Sequence, residues 1–159
     1  MHPRAVELIH TLALRPHPEG GHFAEVFKSP HRVQRLEEKD ARAALTTIYF
    51  LLAQGERSRW HRVAADEVWH YYEGDPLELV WEEQLEIRRV QLGPVGMGRE
   101  PVAIVPAGSW QAARTHGAYT LVGCTVAPGF EFTDFVLLGD VPAEAARLRA
   151  LYPDLADLF

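Results

Sequence analysis

The spacing of hydrophobic positions along this chain changes twice and divides it into three stretches. In PRAVELIHTLAL, Val6, Ile9, Leu12 and Ala13 recur at helical spacing, and Pro3 suits a first turn. The spacing predicts a short amphipathic helix over about residues 3–14. RPHPEGG ends it, because Pro16 and Pro18 disfavour helix and Gly20–Gly21 supply a flexible turn.

From there to about residue 138 the period is two. HFAEVF sets Phe23, Glu25 and Phe27 on one face, with His22, Ala24 and Val26 on the other. ALTTIYFLLA (44–53) is nearly all apolar or β-branched, as a strand covered on both sides is. SRWHRV, DEVWHYY, PLELVW, QLEIRRVQL, PVAIVP, SWQAARTH, AYTLVGCTVAP and FEFTDFVLL follow, separated by Gly, Pro or acidic turns. No helix-length segment lies between them, so the pattern favours an all-β sandwich or barrel over βαβ units. QRLEEKDARAA (34–44) reads as a solvated loop or a single helical turn, and LGPVGMGREP (92–101) as a flexible turn. After Gly139 the helical period returns, with Leu148, Leu151, Leu155 and Leu158 as a stripe interrupted by Pro153. Without a linker or strong repeat, residues 1–159 are expected to form a single domain.

Composition changes this picture little. A hydrophobic content of 47% and a charged content of 24% are ordinary for a globular domain. A formal charge of −6 and scattered arginines give no basic footprint, so neither nucleic acid nor an anionic membrane is an expected partner. No apolar run approaches the roughly 20 residues of a spanning helix. The lone Cys124 has no internal disulfide partner, and MHPRAVELIHTLAL lacks a secretory apolar core, so the expected compartment is cytoplasmic.

The candidate chemistry lies in GERSRWHRVAADEVWHYYEG (55–74). Strand alternation points His61 and Val63 the same way, with Arg59 beside them if the strand reaches back that far. On the next strand Glu67, Trp69 and Tyr71 share one face and His70 and Tyr72 the other. VPAGSWQAART (105–115) groups Ser109, Gln111 and Ala113. Three neighbouring strands can therefore present His61, Glu67 and Gln111 to one cavity, with Trp69 and Tyr71 as aromatic wall. A His–carboxylate pair of this kind supports proton transfer, though it also serves as a plain structural hydrogen bond.

The spacing Gly55–x5–His61–x–Val63–x3–Glu67–x6–Gly74 resembles the first signature of the cupin superfamily, with Val63 in place of its second histidine. Pro106–x–Gly108–x2–Gln111 resembles the second signature, with Gln111 where a third metal histidine normally stands. HPEGG, TTIYFLL, WHRVAADEVWHYYEGDPL, PAGSWQAA and LVGCTVAPGFEFTDF are similar to the cupin 5 subfamily over roughly residues 6–138. The resemblance implies a double-stranded β-helix, the cupin jelly-roll barrel, with short N- and C-terminal helices. It also implies a homodimer with a small-molecule ligand in the barrel mouth. In metal-binding cupins the equivalents of His61, Val63, Glu67 and Gln111 are three histidines and a glutamate.

One imidazole, one carboxylate and one amide are a poor transition-metal set, so no resident cofactor is expected. If a divalent ion is bound, His61, Glu67 and Gln111 are its ligands. The function expected is binding of a small polar metabolite, a carbohydrate or a carboxylate, with metal-independent epimerase or isomerase chemistry carried by His61 as base and Glu67 as its partner or as acid. Gln111 would hold a substrate oxygen and Arg59 an anionic group, while Trp69 and Tyr71 stack on the substrate. Glu19, on a loop suited to lid duty, and His70 are further ligand-binding candidates. A non-catalytic binding or sensing module and a metal-dependent oxygenase or isomerase with a reduced ligand set are the alternatives.

Overall fold

The structure, a computed structural model, describes residues 1–36 and 40–159. The first helix, α1 (Pro3–Thr11), is capped by His2 and stops short of the expected residue 14. Its chain turns back at Ala13, which adopts φ 52°. The extended elements that follow are β1 (Arg15–Pro16), β2 (His22–Lys28), β3 (Arg32–Val33), β4 (Arg42–Ala43) and β5 (Thr46–Ala53). They continue as β6 (Arg57–Arg62), β7 (Asp66–Gly74), β8 (Leu77–Glu83), β9 (Glu86–Leu92) and β10 (Val102–Val105). The last are β11 (Gln111–Thr115), β12 (Tyr119–Ala127) and β13 (Val136–Leu137), before α2 (Pro142–Leu151) and a 3-10 turn over Pro153–Leu158.

From β5 onward the chain passes back and forth between two antiparallel sheets, the signature of a double-stranded β-helix. One sheet has the order β1-β2-β5-β12-β7-β10 and the other β13-β6-β11-β8-β9. The period of two expected from the sequence follows from this: each strand buries one face in the barrel and offers the other to a helix or to water. Phe23, Phe50, Leu52, Trp69, Leu79, Val105 and Val122 meet in the barrel interior. The outer face of the five-stranded sheet packs Trp60, Val80 and Trp110 against Leu148, Leu155 and Leu158 of the C-terminal segment. Leu151 is left out of that stripe and is 55% exposed, because the chain breaks its helix at Tyr152 and Pro153. α1 covers part of the outer six-stranded face through Ala5 and Leu8 on Leu51, Leu121 and Tyr119.

Two expectations change. The insertion 34–44 is flanked by a two-stranded ribbon of β3 on β4, and its centre, Glu37–Lys39, lies outside the described residues. Phe27 does not share a face with Phe23 and Glu25, because a bulge in β2 pairs Glu25 with Ile48 but Phe27 with the adjacent Thr47.

The loop between β1 and β2 depends on glycine. Gly20 adopts φ +115°, and a Cβ there would lie 2.2 Å from the Arg57 carbonyl oxygen. Gly20→Ala should therefore lower stability by about 2 kcal/mol or more. Gly139→Ala, where a Cβ meets nothing within 4 Å, should change it by less than about 0.5 kcal/mol. Denaturant titration of both variants checks the difference.

Candidate functional site

A cavity of about 140 Å³ opens at one end of the barrel. That is small beside the roughly 300–1,000 Å³ of drug-sized sites, so it suits a small metabolite rather than a polymer. Its polar lining includes His17, Glu19, His61, Glu67 and Cys124, and its apolar lining includes Phe23, Ile48, Val63, Phe130, Phe132 and Phe135. The aromatic side comes from the segment after β12, which is tied down by the Phe130 N–H donating to Thr46 Oγ1 at 2.9 Å and by Asp134 pairing with Arg42.

His61 and Glu19 form the centre of the site. The His61 Nε2 lies 3.3 Å from Glu19 Oε2, and both side chains are buried. His61 Nδ1 donates to the Arg59 carbonyl at 2.8 Å, an arrangement that leaves Nε2 as the acceptor in a neutral ring. Ser58 Oγ donates to the other Glu19 oxygen at 2.7 Å. Strict alternation would hide Ser58 and point Arg59 inward. Instead β11 pairs Gln111 with His61 and Ala113 with Ser58, so two residues of β11 span three of β6. This bulge restarts the alternation and turns Ser58, not Arg59, inward beside His61.

Arg59 thus leaves the cavity and braces its loop from outside. Its guanidinium donates to the Pro18 carbonyl at 2.6 Å and to the Glu19 carbonyl at 3.3 Å, and its backbone N–H reaches that Glu19 oxygen at 2.9 Å. One residue therefore holds the tautomer of His61 and the backbone of Glu19 together. His17, two residues earlier on the loop, sits 3.4 Å from Glu19 Oε2 and meets the Phe23 ring edge-on.

Glu67 lines the same cavity from β7. Gln111 Nε2 donates to it at 2.6 Å, and Trp69 Nε1 donates to Gln111 Oε1 at 3.1 Å. Gln111 is buried and lies behind the wall, as a support for Glu67 rather than a group facing the cavity. Trp69 is likewise buried beneath the site, edge-on to Phe50, and Tyr71 spends its hydroxyl on the Gly74 carbonyl at 2.6 Å, outside the cavity. His70 points to the outer face of the six-stranded sheet, on the face of β7 opposite to Glu67. The aromatic wall expected from Trp69 and Tyr71 is instead built by phenylalanines from two loop-flanking segments. Cys124, which reads from the sequence as an inert thiol, lines the cavity with Glu67, and burial pushes its thiol well up.

Burial governs the ionisation of all four groups. It pushes Glu19 up to about 8, against the opposing pull of Ser58 and Arg59. It pushes Glu67 up to about 7, with the His61 ring opposing and Glu19 adding to the rise. Burial and the neighbouring His61 bring His17 down to about 4, and burial lowers His61 despite Glu67 and the Arg59 carbonyl. Near neutrality the loop carboxyl is protonated and both rings are neutral, while Glu67 stands close to its midpoint.

The donors present do not fit a transition-metal ion of the kind the fold family implies. Val63 supplies no ligand and the Gln111 oxygen already accepts from Trp69, so His61, through Nε2, is the one imidazole that the signature positions contribute. Among the described residues no three His, Cys, Asp or Glu side chains stand together in a metal-holding cluster. The sequence missed Ser58, His17, Arg15 and the three phenylalanines. Only the bulge and the long-range return of the chain bring them to the mouth.

A barrel of two antiparallel sheets with its polar cluster at one open end defines a cupin. The family model described as Cupin superfamily (DUF985) matches residues 6–138, and the chain belongs to that family. It is similar to a hypothetical protein from Leishmania major, at 36% identity and TM-score 0.81 over 94% of this chain and 93% of that one. Protein SO0799 from Shewanella oneidensis is 34% identical, with TM-score 0.73 over 82% of each chain. The cupin-2 domain protein Rru_A2000 from Rhodospirillum rubrum shares the fold at 16% identity and TM-score 0.58, over 86% of this chain and 75% of that one. No curated protein matches the sequence. Among the described residues no helix is long and apolar enough to cross a membrane.

The pKa directions fix a stability profile. Glu19 and Glu67 hold protons in the folded state that the unfolded chain releases at ordinary carboxylate pH, so their contribution is full at low pH and falls as pH rises toward about 8 and about 7. His17 acts oppositely, but only between about 4 and its ordinary value. Both rings, His17 and His61, oppose this mainly below about 6.5, so between pH 6.5 and 8 the carboxyls dominate and stability should fall by on the order of 2 kcal/mol. Thermal unfolding across that range should show Tm dropping by several degrees, and Glu19→Gln should remove most of the slope.

Proposed function

We propose that this protein binds a small metabolite in the barrel cavity and moves protons on it without a metal, in the manner of an epimerase or isomerase. The observation that carries this is the buried contact of Glu19 with His61 beside a second acid, Glu67, in one small cavity. His61 keeps the proton-transfer role expected of it, but its carboxyl partner is Glu19, and Glu67 becomes a separate unit. One unit takes a proton from a carbon next to a carbonyl, and the electron pair moves into an enolate. The other returns a proton to carbon, so product and enzyme recover the starting proton count. Placing Glu67 near its midpoint and pairing the ring with a carboxylic acid suits both directions.

A non-catalytic binding or sensing module is the alternative. Its support is that Ser58, Gln111 and the Arg59 carbonyl satisfy the polar groups among themselves, as a purely structural cluster also would. Proton exchange separates the two. Sugars and small carboxylic acids with an acidic C–H next to a carbonyl are incubated with the protein in heavy water and followed by NMR. Deuterium should enter at that carbon, and His61→Ala and Glu67→Gln should each slow entry by about 100-fold or more. Binding without exchange across the panel would leave the binding module.

We further propose a homodimer through the outer face of the six-stranded sheet, where Tyr72, Val102 and Ile104 are 49%, 41% and 58% exposed. Apolar surface on the part of that face not covered by α1 supports this. Light scattering should give twice the 17.9 kDa chain mass, and Ile104→Asp should give the monomer.

A further inference from the structure

We infer that Arg15 selects the ligand: the cavity takes a small monoanionic organic acid with an apolar body, its carboxylate held by the Arg15 guanidinium at the mouth. This rests on the cavity being a ligand site, as proposed above, and narrows the ligand to one chemical class. Arg15 lines the cavity and is exposed. The β1–β2 pairing sets it opposite Phe23, and its guanidinium lies 5.1 Å from the centre of that ring. Among the described residues no carboxylate forms an ion pair with it, and the ring contact satisfies none of its N–H donors. A planar fork of donors, pre-set on an aromatic ring and lacking an acid, matches the two oxygens of a carboxylate.

The rest of the cavity excludes the sugar option. Ile48, Val63, Val126 and the phenylalanines form most of the wall, and none of these side chains can meet a hydroxyl. The polar groups at the inner end are largely used on each other: Glu19 by Ser58 and His61, and Glu67 by Gln111. A polyhydroxylated ring would strand several hydroxyls, whereas an apolar body with one polar group at the inner end would not. Glu25, the other charged group at the mouth, sets the charge: one carboxylate is balanced by Arg15, and a second would face Glu25. The anion-binding role expected of Arg59 therefore passes to Arg15, because the bulge in β6 sends Arg59 out of the cavity.

Calorimetric titration of the intact protein with short-chain and aromatic monocarboxylates, each beside its primary amide, and with aldohexoses tests this. The acid should bind about tenfold or more tightly than its amide, and Arg15→Gln should erase that ratio. Arg15→Lys should keep part of the preference, and added salt should reduce it in the unaltered protein, which keeps the test decisive if Arg15→Gln fails to fold. Equal affinity for acid and amide, a ratio untouched by Arg15→Gln, tighter binding of an aldohexose, or no binding by any acid would each overturn the inference. Selective acid binding without deuterium entry would sink the proton-transfer proposal alone. Deuterium entry into a neutral sugar without acid selectivity would sink this one alone.

Discussion

Two carboxyl groups and two imidazoles are taken out of water at one end of this barrel, and the rest of the site answers that constraint. Four isolated charges there would be prohibitive. The chain resolves the conflict by keeping the rings neutral, by letting Glu19 hold its proton, and by giving several of the remaining donors and acceptors a fixed partner. Ser58 Oγ, the Arg59 carbonyl and Gln111 are those partners. A cluster assembled this way is close to neutral overall and one proton away from charge.

Backbone irregularity, not regular sheet, makes the assembly possible. A one-residue bulge in β6 rotates Ser58 in and Arg59 out, and the displaced arginine becomes the clasp of the His17–Gly21 loop. The loop sits tightly on the sheet because Gly20 lacks a Cβ that would strike the Arg57 carbonyl. The position of Glu19 is therefore decided by contacts on the solvent side of the wall as well as by those inside the cavity.

The apolar half of the cavity follows from Val63 and Gln111 standing where the resemblance to metal-binding cupins implies histidines. With Val63 on the wall and the Gln111 amide turned to Trp69 and Glu67, the chain offers hydrophobic surface in place of imidazole. Phe130, Phe132 and Phe135 extend that surface, and Phe135 stacks on the His61 ring at 5.5 Å. A dry wall strengthens every electrostatic interaction at the inner end, which is the condition proton transfer needs.

The period of two, the absence of helix-length segments within the middle stretch and the spacing around His61 and Glu67 determined the all-β barrel and two residues that line its candidate site. Those features are local, because alternation along a strand reports which face is buried without reference to any other strand. Alternation also put His70 on the face opposite to Glu67, where the structure has it, and that placement runs against its candidacy as a ligand-binding residue. It failed at Arg59 and Phe27, where bulges insert a residue and invert the faces beyond. The partner of His61 was hidden for a different reason: Glu19 stands 42 positions away in the chain, and only the folding of its loop across the barrel mouth brings the two together. Sequence alone thus determined the strands and the face each one buries, whereas the pairing of carboxyl with ring, and the replacement of Arg59 by Arg15 at the mouth, were decided by tertiary structure, because register shifts and loop closure depend on contacts between distant segments.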